Sequence, residues 1–369
     1  MDIGIPRERL AHEHRVALTP AAVRELAQHR HRVFVESAAG AAAGHSDADY
    51  EAAGATIAYS RREVVGRAEL LLGVGQPQRD EFAQFEAGQA VLTFWGLPTV
   101  TADDVEVLRE RQVTAIGLEV VVDDDGKAPA LMAMSEIAGS LAVVVGAGLL
   151  LNEFGGKGIL LPGAPGVPPA NLVILGAGVL GQAAARTAVG LGAEVILLDT
   201  DIGALRRVLG HLPRAVPTMI ATPHHIERAL ASADVVIASP AARGERAPLL
   251  ITRDMLRRMK PRSILMDFAI DMGGCAETSR PSYFPDPTYI EERVRHFCVP
   301  NLPTIVAQSA TQALTNTVLP WVVELGDGID AALKKNPMLR RGTYLHHGRC
   351  VMPQLAELFH WPMPAGAGA

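Results

Sequence analysis

Short apolar runs alternate with amphipathic stretches along most of the chain. Apolar runs fall at 2–6, 32–36, 69–74, 90–95 and 113–119, and again at 172–175, 195–198, 217–221, 235–239 and 263–267. Helical periodicity separates them at 46–52, 80–86, 102–112, 202–210, 224–232 and 252–259. Strand and helix in alternation predict parallel α/β sheets. Thr19-Pro20 opens a further helix, with Thr19 as N-cap and Pro20 at the first helical position. The apolar segment 137–151 is shorter than a membrane span and reads as a buried helix, capped by Ser135-Glu136 and running through 138–153. A Gly/Pro-rich connection at 155–169 follows. A second long helical pattern, 306–327, leaves the second set of strands, and the last segment is expected to fold back on the first. The pattern predicts two doubly wound Rossmann-like domains with a cleft between them. The first is discontinuous, 1–134 plus 305–369, and would hold substrate; the second, 135–304, would bind the cofactor.

The second set opens on LVILGAGVLGQAAARTAVGLGAEVILLD, residues 172–199. It reads as strand, glycine turn, helix, strand, acid. Gly176 allows the tight turn out of the first strand. Gly178, lacking a Cβ, lets a pyrophosphate approach the backbone. Gly181 lets the helix lie close to the sheet. The amides at Val179 and Leu180 then face phosphate with the positive end of the helix dipole. Asp199 is placed for the ribose hydroxyls and would repel a 2′-phosphate, which favours NAD over NADP. The backbone at Ser239, after the fourth strand, passes near a cofactor ribose. A nucleotide-free glycine turn is the plain alternative.

Length and composition narrow the class. The chain has 369 residues, 49% hydrophobic and 20% charged, an ordinary globular balance with room for two or three domains. A net charge of -6 with no basic block argues against a nucleic-acid partner. Cys275, Cys298 and Cys350 have no metal-ligand spacing and fit reduced, buried thiols in a cytoplasm. The first fifteen residues lack the apolar core of a signal peptide. The Gly/Ala-rich tail after Pro364 is expected to fray.

Five motifs together carry a family resemblance: GIPRE at 4–8, HRVALTP at 14–20, MSEIAG at 134–139, LGAGVLG at 175–181 and DFAIDMGGCAETSRP at 267–281. The chain resembles the alanine dehydrogenase and nicotinamide nucleotide transhydrogenase α-subunit family, and MSEIAG and Asp271 resemble alanine dehydrogenase more closely. The resemblance covers nearly the whole chain. It implies a two-domain cytoplasmic NAD enzyme of amino acid metabolism, a homo-oligomer (hexamer or dimer), that interconverts an amino acid and a 2-oxo acid.

Two departures stand against that pattern. The family carries a substrate-gripping lysine where this chain has Gly75, and Gln76 replaces a glutamate. It carries an acid/base histidine where this chain has Gly96. Such a group is worth roughly 10²–10⁴ in rate. The two glycines are expected to leave room beside Trp95, an aromatic wall, for a substrate bulkier than alanine.

By the same resemblance Arg15 holds the substrate carboxylate, for which a guanidinium is suited; a salt bridge is the alternative. Asp271 manages a proton or touches cofactor, unless it only caps its loop. Asn301 lies at the nicotinamide side, or orders its loop. Met134 touches substrate and Ser135 phosphate, though capping alone would account for Ser135. Resemblance also suggests Glu119 with His346 as a metal pair, but no metal is assigned from the sequence. His12, His14, His346 and His347 lie nearest the functional segments, and none is assigned as the acid. The expected function is NAD-dependent hydride transfer at a C–N or C–O bond of an amino, imino or 2-oxo acid other than alanine. Two alternatives remain open: an NAD-binding protein without redox turnover, and an NAD-assisted non-redox enzyme of lyase or cyclodeaminase type.

Overall fold

The computed structural model describes residues 1–97, 100–240 and 246–361, so the tail after Pro364 lies outside the described residues. The chain divides into two compact units, Met1–Met134 with Thr304–Ala369, and Ser135–Pro303.

Six strands open the first unit: β1 (Asp2–Ile5), β2 (Arg32–Glu36), β3 (Thr56–Ala58), β4 (Leu70–Leu72), β5 (Ala90–Thr93) and β6 (Thr114–Gly117). The second unit holds β7 (Asn171–Leu175), β8 (Glu194–Asp199), β9 (Thr218–Ile220), β10 (Val235–Ala238), β11 (Ile264–Asp267), β12 (Thr288–Glu291) and β13 (Val294–Phe297). The chain then returns to the first unit as β14 (Thr343–His346) and β15 (Arg349–Cys350).

The first sheet runs β15-β14-β6-β5-β4-β1-β2-β3 and the second β12-β13-β11-β10-β7-β8-β9. From β1 to β6 and again from β7 through β13, leaving out β12, the spatial order is 3-2-1-4-5-6. Within those sets every pairing is parallel. Parallel strands are covered on both faces, which is why β4, β5, β6, β10 and β11 are buried from end to end. The antiparallel edges, β12 and the β14–β15 hairpin, are half-polar or very short. Neither they nor β3 carry a long apolar run, so the hydrophobic pattern does not reveal them.

Two sequence expectations need correction. The long helix spans Pro129–Leu149, with a proline in its first turn, where a missing N–H costs nothing. Ser135 therefore lies inside the helix and caps nothing. At 21 residues the helix is long and apolar enough to cross a membrane by length and composition. Ala138, Ala142, Val143 and Leu149 on its inner side belong to the second unit's core. The loop after β11 is tethered. Buried Asp267 accepts from the amides of Ala269 (2.9 Å) and Cys275 (2.7 Å) and from the Ser279 hydroxyl (2.6 Å).

The long helix crosses the glycine-turn helix, Val179–Gly190, at its own Gly139. A Cβ at Gly139 would stand 2.2 Å from the Leu180 carbonyl and 2.9 Å from the Ala183 Cβ. Gly139→Ala is therefore expected to separate the helices at an overpacking cost of about 1–3 kcal/mol, lowering the melting temperature by roughly 3–10 °C. Calorimetry checks this, and an unchanged melting temperature would mean the two helices slide apart freely.

Candidate active site

In an open α/β sheet, ligands meet the carboxyl ends of the strands where the strand order reverses. In the second unit that point lies between β7 and β10. Gly176, at φ +109°, turns the chain out of β7, and a Cβ there would fall 2.2 Å from the Ser239 carbonyl after β10. A Cβ at Gly181 would fall 1.8 Å from the Gly176 carbonyl. These two glycines are required by packing inside the unit, Gly176 against the Ser239 backbone. Gly178 differs: its Cβ would meet nothing within 4 Å, and its φ of -69° suits any residue. The protein alone gives no reason for a glycine there; a phosphate lying against the backbone does. Val179 is half-buried and Leu180 buried with its side chain in the core, so both offer amides rather than side chains.

Asp199 ends β8 beside this turn. Its carboxylate accepts from the Ala177 amide (2.5 Å) and the Asp201 amide (2.7 Å), and so stands next to the glycine loop where a ribose would lie. The residues fit a dinucleotide on this geometry. Asp271 and Asn301 are brought together on the same unit. Asp271 sits in a short turn of 3₁₀ helix, Ile270–Met272, held by Asp267. The Asn301 backbone amide donates to it from a left-handed residue at φ +53°. Surrounding protein pushes the Asp271 carboxyl above its ordinary value, nearby Asp267 adds to this, and the Asn301 amide opposes it.

In the first unit the order reverses between β1 and β4, and there sequence reasoning missed the central group. Glu8, just past β1, reaches across to the loop after β4 and accepts from the amides of Val74 (2.6 Å) and Gly75 (3.1 Å). Burial pushes its carboxyl up to about 7; the Val74 amide opposes the shift and the Glu13 charge reinforces it. Its place in GIPRE, an acid at the carboxyl end of a first parallel strand, was the available signal. Glu119 does the same after β6, accepting from the amides of Gly96 (2.6 Å) and Trp95 (3.2 Å) and from the Tyr344 hydroxyl (2.9 Å). Burial raises its carboxyl as well, against those donors. Each glycine that departs from the family pattern thus hands its amide to a desolvated carboxylate.

Three expectations change here. Trp95 is fully buried among Phe82 and Phe85, with ring centroids 6.1 Å away, and its indole N–H donates to the Val91 carbonyl. It is core rather than an aromatic wall, and only its amide reaches the site. Gly75 does not open free space, because a Cβ there would stand 2.5 Å from Leu10 Cδ1 and 3.1 Å from Glu8 Oε2. Leu10 occupies the space beside it. Gln76 lines the same small pocket as Glu8, Leu10, Gly75 and Thr93. Gly96 takes φ +54°, in the left-handed region that favours glycine.

Arg15 is buried and already paired. Glu13 accepts from its Nε (2.8 Å) and Nη2 (2.6 Å), and Met134 Sδ lies 3.2 Å from Nη1. Met134 and Arg15 are therefore together. One N–H on each terminal nitrogen remains for a ligand. Thr304 steadies the pair, its hydroxyl lying 3.2 Å from Glu13 and accepting from the His14 amide. Glu119 and His346 are committed to different partners, Tyr344 and Asp330.

Gly178→Ala separates ligand from scaffold. The melting temperature of the free protein is expected to stay within about 2 °C, as for a surface change. The Kd for NAD should rise at least about tenfold, or about 1.4 kcal/mol, because the new methyl takes the phosphate's place. Calorimetric titration with NAD checks both against Gly181→Ala, which should lose stability instead.

Family models for the N-terminal and C-terminal domains of alanine dehydrogenase/PNT match residues 4–138 and 142–353. The chain is 44% identical to the alanine dehydrogenase of Halomonas elongata over 97% of each chain. It is 40% identical to that of Mycobacterium tuberculosis over 96% of each. A solved L-alanine dehydrogenase superposes with TM-score 0.93 at 38% identity, covering 98% of this chain and 99% of the other. A transhydrogenase from Sinorhizobium meliloti shares the fold, at TM-score 0.81 and 24% identity, covering 96% and 100%. With an intact cofactor turn and this likeness from end to end, the chain belongs to the alanine dehydrogenase/PNT family and is an NAD-dependent oxidoreductase of the alanine dehydrogenase type.

Proposed function

We propose that this enzyme transfers hydride at the C–N or C–O bond of an amino, imino or 2-oxo acid other than alanine, and that Glu8 handles the accompanying proton. The observation that carries this reading is the pair of glycines, Gly75 and Gly96, each held by a half-buried carboxylate. The relatives' name puts alanine first among the substrates to be tried. The argument against it is chemical: no lysine stands at 75 and no histidine at 96. Because Leu10 fills the space beside Gly75, the case rests on lost groups rather than on gained room. A substrate arriving as a preformed imine, cyclic imino acids among them, needs no amination step and so dispenses with both groups.

Bound NAD supplies the hydride acceptor or donor. Arg15 holds the substrate carboxylate with its two remaining N–H groups, and Glu13 keeps the guanidinium from turning. Glu8 takes the N–H or O–H proton in the oxidative direction and returns it in the reductive one. Asp271, with Asn301 fixing its loop, orders water or the nicotinamide side.

The charges predict a pH dependence. Arg15 is offset by Glu13, so an ionised Glu8 repels an incoming carboxylate. Below about pH 7 Glu8 is mostly protonated, and above it mostly ionised. Reduction, which needs an acid and an anionic substrate, should fall as pH rises through 7. Oxidation, which needs a base, should rise. Glu8→Gln is expected to cost roughly 10²–10⁴ in kcat/KM and to erase that inflection. A pH profile with the inflection intact in the variant would remove Glu8 from the proton step.

The substrate is tested by supplying NADH with a panel of amino, 2-oxo and cyclic imino acids, following nicotinamide absorbance alongside product mass. NADH consumption on a substrate other than pyruvate plus ammonia supports the proposal. Product without net NADH change favours an NAD-assisted lyase or cyclodeaminase, and NAD binding with no product favours a protein without turnover. Efficient alanine turnover would overturn the reading.

We further infer a cytoplasmic homo-oligomer, a hexamer or dimer. The three cysteines are free and buried, and apolar Val144, Leu151, Phe154, Leu160 and Val167 stand exposed on the second unit. Light scattering on the purified chain is expected to give a multiple of 39.2 kDa.

A further inference from the structure

Away from both strand-end sites, one group of side chains has the composition of a metal site. β14 and β15 form a two-residue hairpin whose turn residues, His347 and Gly348, take φ +48° and +73°. Such a turn favours Asn-Gly or Gly-Gly at its centre. Histidine in its place has a geometric effect. Neighbouring residues of a strand normally point to opposite faces, but the left-handed turn brings the His347 ring to the side of His346, with centroids 4.5 Å apart. Both rings aim at Asp330 in the first turn of the helix Ile329–Lys335. Its Oδ1 lies 2.8 Å from His346 Nε2 and 2.9 Å from His347 Nε2. One ligand atom from each of the three lies within 4.8 Å of the others. The turn is anchored behind by the His347 amide, which donates to Thr114 Oγ1 at 3.1 Å.

We propose that Asp330, His346 and His347 bind one first-row divalent transition ion and that this ion fastens the β14–β15 turn to the helix. Two imidazoles and one carboxylate suit zinc, copper or nickel rather than magnesium or calcium, which prefer all-oxygen sets. Donors about 2.0–2.2 Å from zinc in a tetrahedral arrangement stand ~3.3 Å apart. The Nε2–Oδ1 separations are already near that value, so small ring rotations complete the set. The three side chains are 34%, 52% and 68% exposed, which leaves the remaining positions to water and an open path for the ion. Without an ion the shared carboxylate oxygen holds two imidazoles, and those hydrogen bonds hold the Asp330 carboxyl below its usual range.

The test uses the tag-free full chain, stripped with chelator and titrated calorimetrically with zinc chloride. Uptake of about one ion per chain, with a rise in melting temperature, is expected. His347→Asn keeps a residue that the left-handed turn favours, so the hairpin survives. It should weaken binding at least about tenfold, and Asp330→Asn should do the same. Zinc bound equally well by either variant, or no uptake by the wild type at about 0.1 mM, overturns the site.

Discussion

Parallel strands end with backbone amides pointing into loops, and a buried amide without a partner is costly. In both units a carboxylate answers that need. Glu8 after β1 holds the amides past β4, and Glu119 after β6 holds those past β5. Asp199 at the end of β8 holds the amide past β7, and Asp267 at the end of β11 holds its own loop. Removing any one frees donors at the mouth of a sheet. On the function proposed above, Glu8 both finishes the fold and meets ligand. The carboxyls of Glu8 and Glu119 are raised because the desolvation that makes the amide contacts strong also penalises charge.

Much of the second unit was legible in the sequence because its requirements are local. Gly176 and Gly178 follow one strand and precede one helix, Gly181 lies in that helix's first turn, and Asp199 ends the next strand. Gly181 and Asp199 act on the turn itself, and only the packing of Gly176 against the Ser239 carbonyl reaches further along the chain. The structure then separates Gly178 from its companions: two of the glycines are needed by the scaffold, and one is left open to a ligand.

The first unit was harder to read because its site is built from residues far apart in the chain. The Glu8 contact to Gly75 crosses 67 residues, and the Tyr344 contact to Glu119 crosses 225. Periodicity does not reveal such pairs. Trp95 shows the limit from the other side: a residue next to a site position in sequence points its ring away, because neighbours along a strand end face opposite sides. Gly75 shows it again, since a glycine in the sequence says nothing of Leu10 filling the space beside it. Resemblance to a family located the two departures; only the packing shows what took up the vacated positions.

The discontinuity of the first unit has a consequence for biosynthesis. β6 presents an unpaired edge until β14 arrives to close it, and the His347 amide that ties the two sheet elements lies 233 residues from Thr114. At ~5–20 residues per second the ribosome needs roughly ten to fifty seconds to deliver that strand. Through that interval the second unit, whose chain is continuous, can complete itself. The nascent first unit meanwhile carries an open edge, which invites pairing with other chains. The last-made residues therefore act as a closing clasp, and the helix and hairpin that hold β14 in place decide how quickly it shuts.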